Sequence, residues 1–345
     1  MDTTIELRSD NAAGVAPEIL AAVAAAGEGS ALAYGGDEWT ARLSERVAEV
    51  FEHPDARVFP VISGTAANAI GLSAMCPPWG SVLCHDTAHV LRNECGATSM
   101  FAGGAVMHGL TGDSYKLAPE SVQIAFEATR WGDPHHSQPA VLSLTCPTDH
   151  GTVYTPSEVA ALVDVAGEHG LRVHMDGARI ANALAGVGCT PAELTWRAGV
   201  DVVSLGATKN GALSTDAIVC FDTDIAEQLV YRVKRAGHVA SKMRFQSAQL
   251  DAYLTDGLWL RLAGTANAAM TVLSAGLRQL GVELLNEPQA NMVFARFPAP
   301  GVRRLEEVGL LFYAMDDEVV RFVTSFQTTD ADAREAVRRI GQALS

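Results

Sequence analysis

Short apolar runs alternate with stretches of helical spacing along most of this chain. The runs Val58–Ile62, Ser81–Cys84, Ala140–Leu144, Leu171–Met175, Val200–Leu205 and Ala217–Phe221 predict strands. Between them, Glu38–Phe51, Ala66–Met75, Pro156–His169 and Pro191–Arg197 predict helices. Pro156 and Pro191 each follow a threonine, a capping residue ahead of a first-turn proline. This alternation implies an α/β architecture with a mostly parallel sheet flanked by helices. From about Arg244 to Gly281 the spacing is that of long helices. Short strands (Val293–Phe297, Val319–Val323) and a last helix (Asp330–Leu344) follow. The change of pattern predicts a large domain over 1–245 and a smaller C-terminal α+β domain over 246–345. Crossover helices put functional loops at the carboxyl ends of parallel strands, and Ser63, Asp176 and Lys209 fall at such ends.

Composition narrows the function. A chain of 345 residues exceeds the usual size of a single core, which agrees with two domains. Hydrophobic residues at 48% against 19% charged describe an ordered globule. No apolar run is long enough to span a bilayer, and the alanine-rich stretch Ile19–Ala33 is broken by Gly27, Glu28 and Gly29. The start, Met1-Asp-Thr-Thr-Ile-Glu6, lacks the basic and apolar regions of a signal peptide, so a cytoplasmic protein is expected. A formal charge of −15 argues against a nucleic-acid partner but leaves room for a locally positive cleft. The six cysteines form no C-x-x-C pair and are expected to be reduced.

The chemistry-bearing residues cluster at the strand ends. Lys209 follows one apolar strand and Asp176 ends the strand before it. A lysine beside a strand-borne carboxylate is the pair that pyridoxal phosphate needs: an amine to hold its aldehyde as an imine, and an acid to keep the pyridine nitrogen protonated. Taken singly, Asp176 could be a helix cap ahead of Ala178–Ala185, and Lys209 a solvated loop lysine. Ser63-Gly-Thr-Ala-Ala-Asn68 opens a helix, where free N–H groups suit a phosphate; a plain strand-to-helix turn is the competing reading. His85 and His89 stand four apart, but without the glutamate of H-E-x-x-H a metal site ranks below a ring-stacking role for His89. The cluster Asp133, His135, His136 reads as a surface loop. Arg321 sits inside an apolar strand and needs a partner, either a substrate carboxylate or an internal salt bridge.

Together these motifs resemble the threonine aldolase branch of the pyridoxal-phosphate enzymes, which have the aspartate-aminotransferase-like fold (fold type I). Leu7-Arg-Ser-Asp10 is similar to the family's L-R-S-D opening, Tyr34-Gly-Gly-Asp37 to Y-G-x-D, and Gly64-Thr-Ala-Ala-Asn68 to G-T-x-A-N. Ala88-His89 through Glu94 matches A-H-x-x-x-x-E, and His174-Met-Asp-Gly-Ala-Arg179 matches H-x-D-G-A-R. Lys209 falls where the family keeps its Schiff-base lysine, although Ala207-Thr-Lys-Asn-Gly211 differs from the commoner S-K-G-L-G. The resemblance implies pyridoxal 5'-phosphate as cofactor and a catalytic trio of Lys209, Asp176 and His89. It further implies that Gly64 and Thr65 hold the phosphate, with Arg244 contributing from a neighbouring subunit. Ser9, Arg179 and Arg321 would bind the amino-acid carboxylate, and Tyr34 would reach across a subunit boundary of a homotetramer. No metal is implied. The chain reads Cys146-Pro-Thr-Asp-His-Gly151 where the family often has E-N-T-H-N-G, so Asp149 replaces a histidine assigned to the β-hydroxyl group. That leaves the threonine versus allo-threonine preference open.

The expected reaction is a retro-aldol cleavage of the Cα–Cβ bond of a β-hydroxy-α-amino acid (L-threonine, L-allo-threonine or phenylserine) to glycine and an aldehyde. His89, or a water it holds, is the first candidate for the base. The rivals are a β-eliminating lyase or aminotransferase on a small amino acid, and a non-catalytic protein that keeps the fold. A nicotinamide dehydrogenase ranks last, because G-x-G-x-x-G is absent.

Overall fold

The computed structural model describes residues 4–345; residues 1–3, the beginning of the start read as leaderless, lie outside the described residues. A short strand β1 (Ile5–Glu6) precedes the main sheet. That sheet comprises β2 (Arg57–Val61), β3 (Gly80–His85), β4 (Val106–Leu110), β5 (Gln138–Thr145), β6 (Arg172–Gly177), β7 (Val202–Leu205) and β8 (Asp216–Cys220). Its seven strands run in the order β2-β8-β7-β6-β5-β3-β4. Neighbours from β4 to β7 are parallel, whereas β8 is antiparallel to both β7 and β2. Neighbouring side chains on one strand enter different cores: Val202 and Ile218 face one cluster, Val203 and Val219 the other. Helices therefore cover both faces, as a parallel sheet requires.

The C-terminal part carries β9 (Glu283–Leu284), β10 (Met292–Arg296), β11 (Leu310–Leu311), β12 (Tyr313–Ala314) and β13 (Val319–Val323). Four of these form an antiparallel sheet of order β12-β13-β10-β9, while β11 pairs in parallel with β1. Ile5 and Leu7 thus pack into the C-terminal core although they begin the chain. The division expected at residue 245 falls at the head of helix Arg244–Leu254. The two cores change over inside the next helix, Leu258–Gln279: Leu258, Trp259 and Ala263 pack with the main sheet, and Ala269, Met270 and Leu273 with the C-terminal sheet.

Three departures from the sequence expectations have physical reasons. The edge strand β4 has no matching apolar run, because Val106-Met-His-Gly-Leu110 has solvent on one side and needs none. The helix expected from Ala66 starts at Gly64, because the Ser63 hydroxyl accepts the Ala66 N–H at 3.3 Å and closes the cap upstream. The helix expected over Pro191–Arg197 stops at Leu194, and a 3-10 turn Trp196–Ala198 follows, with the indole of Trp196 donating to the Phe51 carbonyl at 2.6 Å.

Close backbone approach brings the β6 and β7 ends together. The Gly206 N–H donates to the Gly177 carbonyl at 3.0 Å. A Cβ on Gly206 would lie 2.1 Å from the Ala178 carbonyl oxygen. Gly206→Ala is therefore expected to destabilise the protein by at least about 1–3 kcal/mol, the range for overpacking, in urea unfolding monitored by circular dichroism.

Candidate active site

The carboxyl ends of the parallel strands enclose a cavity of about 280 Å³ bounded by Gly64, Thr65, His89, Asp149, Asp176, Arg179 and Lys209, among others. Asp176 ends β6 and is 2% exposed. Its Oδ1 accepts the Ala178 N–H at 3.0 Å, and its Oδ2 accepts from the Asn68 carboxamide at 2.9 Å. The same Asn68 nitrogen donates to Glu94 Oε1 at 2.8 Å, and that oxygen lies 2.8 Å from His89 Nδ1. A continuous chain His89–Glu94–Asn68–Asp176 thus runs along the cavity wall. Glu94 and Asn68 carry no chemistry in the sequence reading beyond their places in A-H-x-x-x-x-E and G-T-x-A-N. Those fixed spacings were the signal for them.

Lys209 sits in a 3-10 turn, Thr208–Asn210, after β7. Two anchors present it. Asp216 at the start of β8 accepts the N–H groups of Ala207 (2.8 Å) and Thr208 (3.0 Å). Asn210 is buried and donates to the Tyr253 hydroxyl (2.9 Å) and the Trp259 carbonyl (2.8 Å). Burial, then the nearby Arg179 guanidinium, lower the Lys209 pKa, although Asp10, Asp176 and Asp216 oppose the shift. An amine shifted this way is a better nucleophile at neutral pH.

A phosphate cradle stands at the other end of the cavity. Ser63 caps helix Gly64–Met75, and the N–H groups of Gly64 and Thr65 have no acceptor among the described residues. A side chain on Gly64 would meet nothing within 4 Å, so the cradle is open at that point. Free amides at a helix start suit an anion.

Arg179 lines the cavity, but its Nε and Nη2 are bound to Asp10 at 2.5 and 2.9 Å, and Asn291 adds a 3.1 Å bond to the same carboxylate. Burial alone would raise the Asp10 pKa; Arg179, with Lys209 and Asn291, outweighs it and the net direction is down. Arg321 lies on β13 outside the cavity lining. Its Nε is buried without a partner, its Nη2 reaches the Arg8 carbonyl at 3.3 Å, and it stands 5.0 Å from the Tyr313 ring centre. Ser9 caps the following turn through the Asn11 N–H at 3.2 Å. Tyr34 is 60% exposed, with Lys234 Nζ 4.7 Å from its ring centre. Arg244 stacks on Phe245 and reaches the Gly29 carbonyl at 3.4 Å. A single chain therefore does not bring Ser9, Tyr34, Arg244 or Arg321 to the cavity lining. His85 makes a 2.8 Å bond to Thr87 Oγ1 and does not share a face with His89.

The model of the beta-eliminating lyases matches residues 6–299. The chain belongs to the beta-eliminating lyase family. A low specificity L-threonine aldolase from a Pseudomonas species is 41% identical over 346 residues, covering 100% of this chain and 99% of that protein. One of the same description from Pseudomonas aeruginosa is 42% identical over 98% of each chain. The solved threonine aldolase of Leishmania major superposes with a TM-score of 0.92 at 25% identity, covering 99% of this lyase and 100% of that chain. An aspartate aminotransferase of Thermus thermophilus gives 0.73 at 20% identity, covering 99% of this chain and 92% of its own, which shows the aspartate-aminotransferase-like fold. Enzymes of this family and fold are dependent on pyridoxal 5'-phosphate. No helix among the described residues of the lyase is long and apolar enough to cross a membrane.

Two outcomes follow from these contacts. Asp10→Ala leaves the Arg179 charge buried without its partner and is expected to cost about 3–5 kcal/mol in urea unfolding. The hydrogen bond from Glu94, aided by Asp149 and Asp176 against burial, raises the His89 pKa above its ordinary 6.5. The stabilisation from this pair is full below 6.5 and is lost as pH rises through the raised value. Ring-proton NMR should find His89 titrating above 6.5, and Glu94→Gln should bring the midpoint down.

Proposed function

We propose that this chain is a pyridoxal-5'-phosphate-dependent aldehyde-lyase that cleaves the Cα–Cβ bond of β-hydroxy-α-amino acids, threonine and allo-threonine among them, to glycine and an aldehyde. The reading rests on the cavity that holds Lys209 and Asp176 together beside an open helix start. The description of the Pseudomonas relatives as low specificity L-threonine aldolases supports the substrate class.

When bound, the cofactor supplies an electron sink for the pair released by the broken Cα–Cβ bond. Lys209 Nζ would hold the cofactor's aldehyde carbon, and its lowered pKa keeps a fraction of the amine uncharged for that purpose. Asp176, kept in place by Asn68 and the Ala178 N–H, would hold a proton on the pyridine nitrogen and stabilise positive charge there. Gly64 and Thr65 would bind the phosphate through their free amides. His89, braced by Glu94, would form a flat wall for the ring.

For the substrate carboxylate, Arg321 has the less committed guanidinium, because Arg179 already binds Asp10 in bidentate fashion. Orientation of that carboxylate sets the Cα–Cβ bond perpendicular to the ring plane, and such positioning supplies much of the rate. Tyr34 and Arg244 would complete the site from a neighbouring copy in a homotetramer. Both lie away from their own chain's cavity, which fits that arrangement.

Lys209→Ala is expected to abolish the visible absorbance of the cofactor-loaded protein and the formation of glycine and acetaldehyde from threonine. A variant that stays yellow and active would reject Lys209. Pyruvate and ammonia from threonine-free serine, or a need for a keto-acid acceptor, would favour β-elimination or transamination.

A further inference from the structure

Of the carboxylates around the cavity, Asp149 is the one that holds His89 through one oxygen and keeps the other free. Asp176 has both oxygens bonded, and Asp10 is paired with Arg179. Glu94 accepts from Asn68 and His89, and its other oxygen is sealed from solvent. Asp216 stands opposite Val61 at the phosphate-cradle end and supports the Lys209 turn. Asp149 Oδ2 accepts the His89 backbone N–H at 2.9 Å, whereas its Oδ1 has no partner among the described residues.

The loop that carries Asp149 is fixed. Thr148 and Thr152 bond through their hydroxyls at 2.7 Å, and the ring of His150 is stacked between Tyr115 (3.5 Å) and Phe294 (4.7 Å). Behind Asp149 lies a second, smaller chamber of about 10 Å³, lined by His85, Thr145, Thr148 and Asp149 among others. That is roughly the space of one water molecule. Thr145 also lines the active cavity. Two polar atoms of the chamber residues, His85 Nε2 and Thr145 Oγ1, are buried and unpartnered. His85 is 8% exposed. His85 Nδ1 faces the Thr87 N–H at 3.2 Å, the Thr87 hydroxyl at 2.8 Å and Asp86 Oδ1 at 3.2 Å, which leaves Nε2 for the chamber. A water there would meet an imidazole nitrogen, a hydroxyl and a carboxylate, enough partners to be held.

The geometry points to a proton relay in which Asp149 accepts the β-hydroxyl proton of the substrate, and a water held by the positioning residues Thr145 and His85 links Asp149 to the chamber behind it. This rests on the aldehyde-lyase reading above. In the step, the substrate O–H bond breaks and its proton goes to Asp149 Oδ1. The O–H electron pair closes the aldehyde C=O, and the Cα–Cβ pair leaves to the electron sink that the family's cofactor supplies. His89 has Nδ1 held by Glu94 and its ring assigned to the wall of the cofactor site, which leaves the free oxygen of Asp149 as the acceptor for the hydroxyl. Burial and the Asp176 charge raise the Asp149 pKa, opposed by His89, Arg179 and Lys209; Arg321 also feels its charge. A carboxylate whose pKa is raised is a stronger base than an ordinary one.

The test uses cofactor-loaded Asp149→Asn, Thr145→Val and His85→Gln, each first checked for the cofactor absorbance. Wild-type protein that forms no glycine from threonine would reject the aldehyde-lyase reading itself, separately from the relay. Asp149→Asn is expected to lower kcat by about 10²–10⁴-fold. Its affinity for glycine, titrated through the cofactor spectrum, should match wild type, because glycine has no hydroxyl. Thr145→Val and His85→Gln should displace the acid limb of kcat/KM against pH with KM little changed. Wild-type turnover in Asp149→Asn, or loss of glycine binding together with turnover, overturns the role of Asp149. An acid limb unmoved in both chamber variants overturns the relay.

Discussion

The carboxamide of Asn68 donates to two buried acids at once, Glu94 and Asp176, and the site is arranged around that shared nitrogen. Without it, both buried carboxylates would lose a hydrogen-bond donor, which costs more in a dry wall than in water. With it, Asp176 is fixed at the end of β6 while Glu94 engages His89. The residues come from three places: the helix after β2, the segment after β3, and the end of β6. Their meeting depends on strand order, and the glycines at the β6 and β7 ends allow the approach.

The charge pattern inside the cavity follows from which groups are already satisfied. Arg179 and Asp10 neutralise each other in a buried bidentate pair, which ties the N-terminal segment to the end of β6. Lys209 and Asp149 have no such committed partner. Burial moves both toward their uncharged forms, Lys209 downward and Asp149 upward. Groups left in that state are the ones able to exchange protons or form bonds near neutral pH. Structural pairs and reactive groups thus stand side by side, separated by their hydrogen bonding and not by residue type.

The N-terminal segment links the two sheets. Strand β1 pairs with β11, Leu7 enters the C-terminal core, and Asp10 reaches Arg179 a few residues later. Arg321 on β13 bonds the carbonyl of Arg8 in the same segment. Any shift of the C-terminal sheet would therefore be felt at the Arg179–Asp10 pair.

Local sequence determined the elements that local physics controls. The apolar runs gave the strands of the main sheet except β4, the threonine–proline caps marked two helix starts, and the fixed motif spacings singled out Lys209, Asp176, His89 and Gly64. Hydrophobic patterning reports burial, and β4 is an edge strand with little of it. Tertiary structure alone decided the antiparallel insertion of β8, the bond from Asn68 to Asp176 across 108 positions of sequence, and the pairing of Arg179 with Asp10. It also decided that Asp149 retains a free oxygen beside a water-sized chamber. Such properties depend on which polar groups satisfy one another after the strands are ordered, and no run of neighbouring residues encodes that.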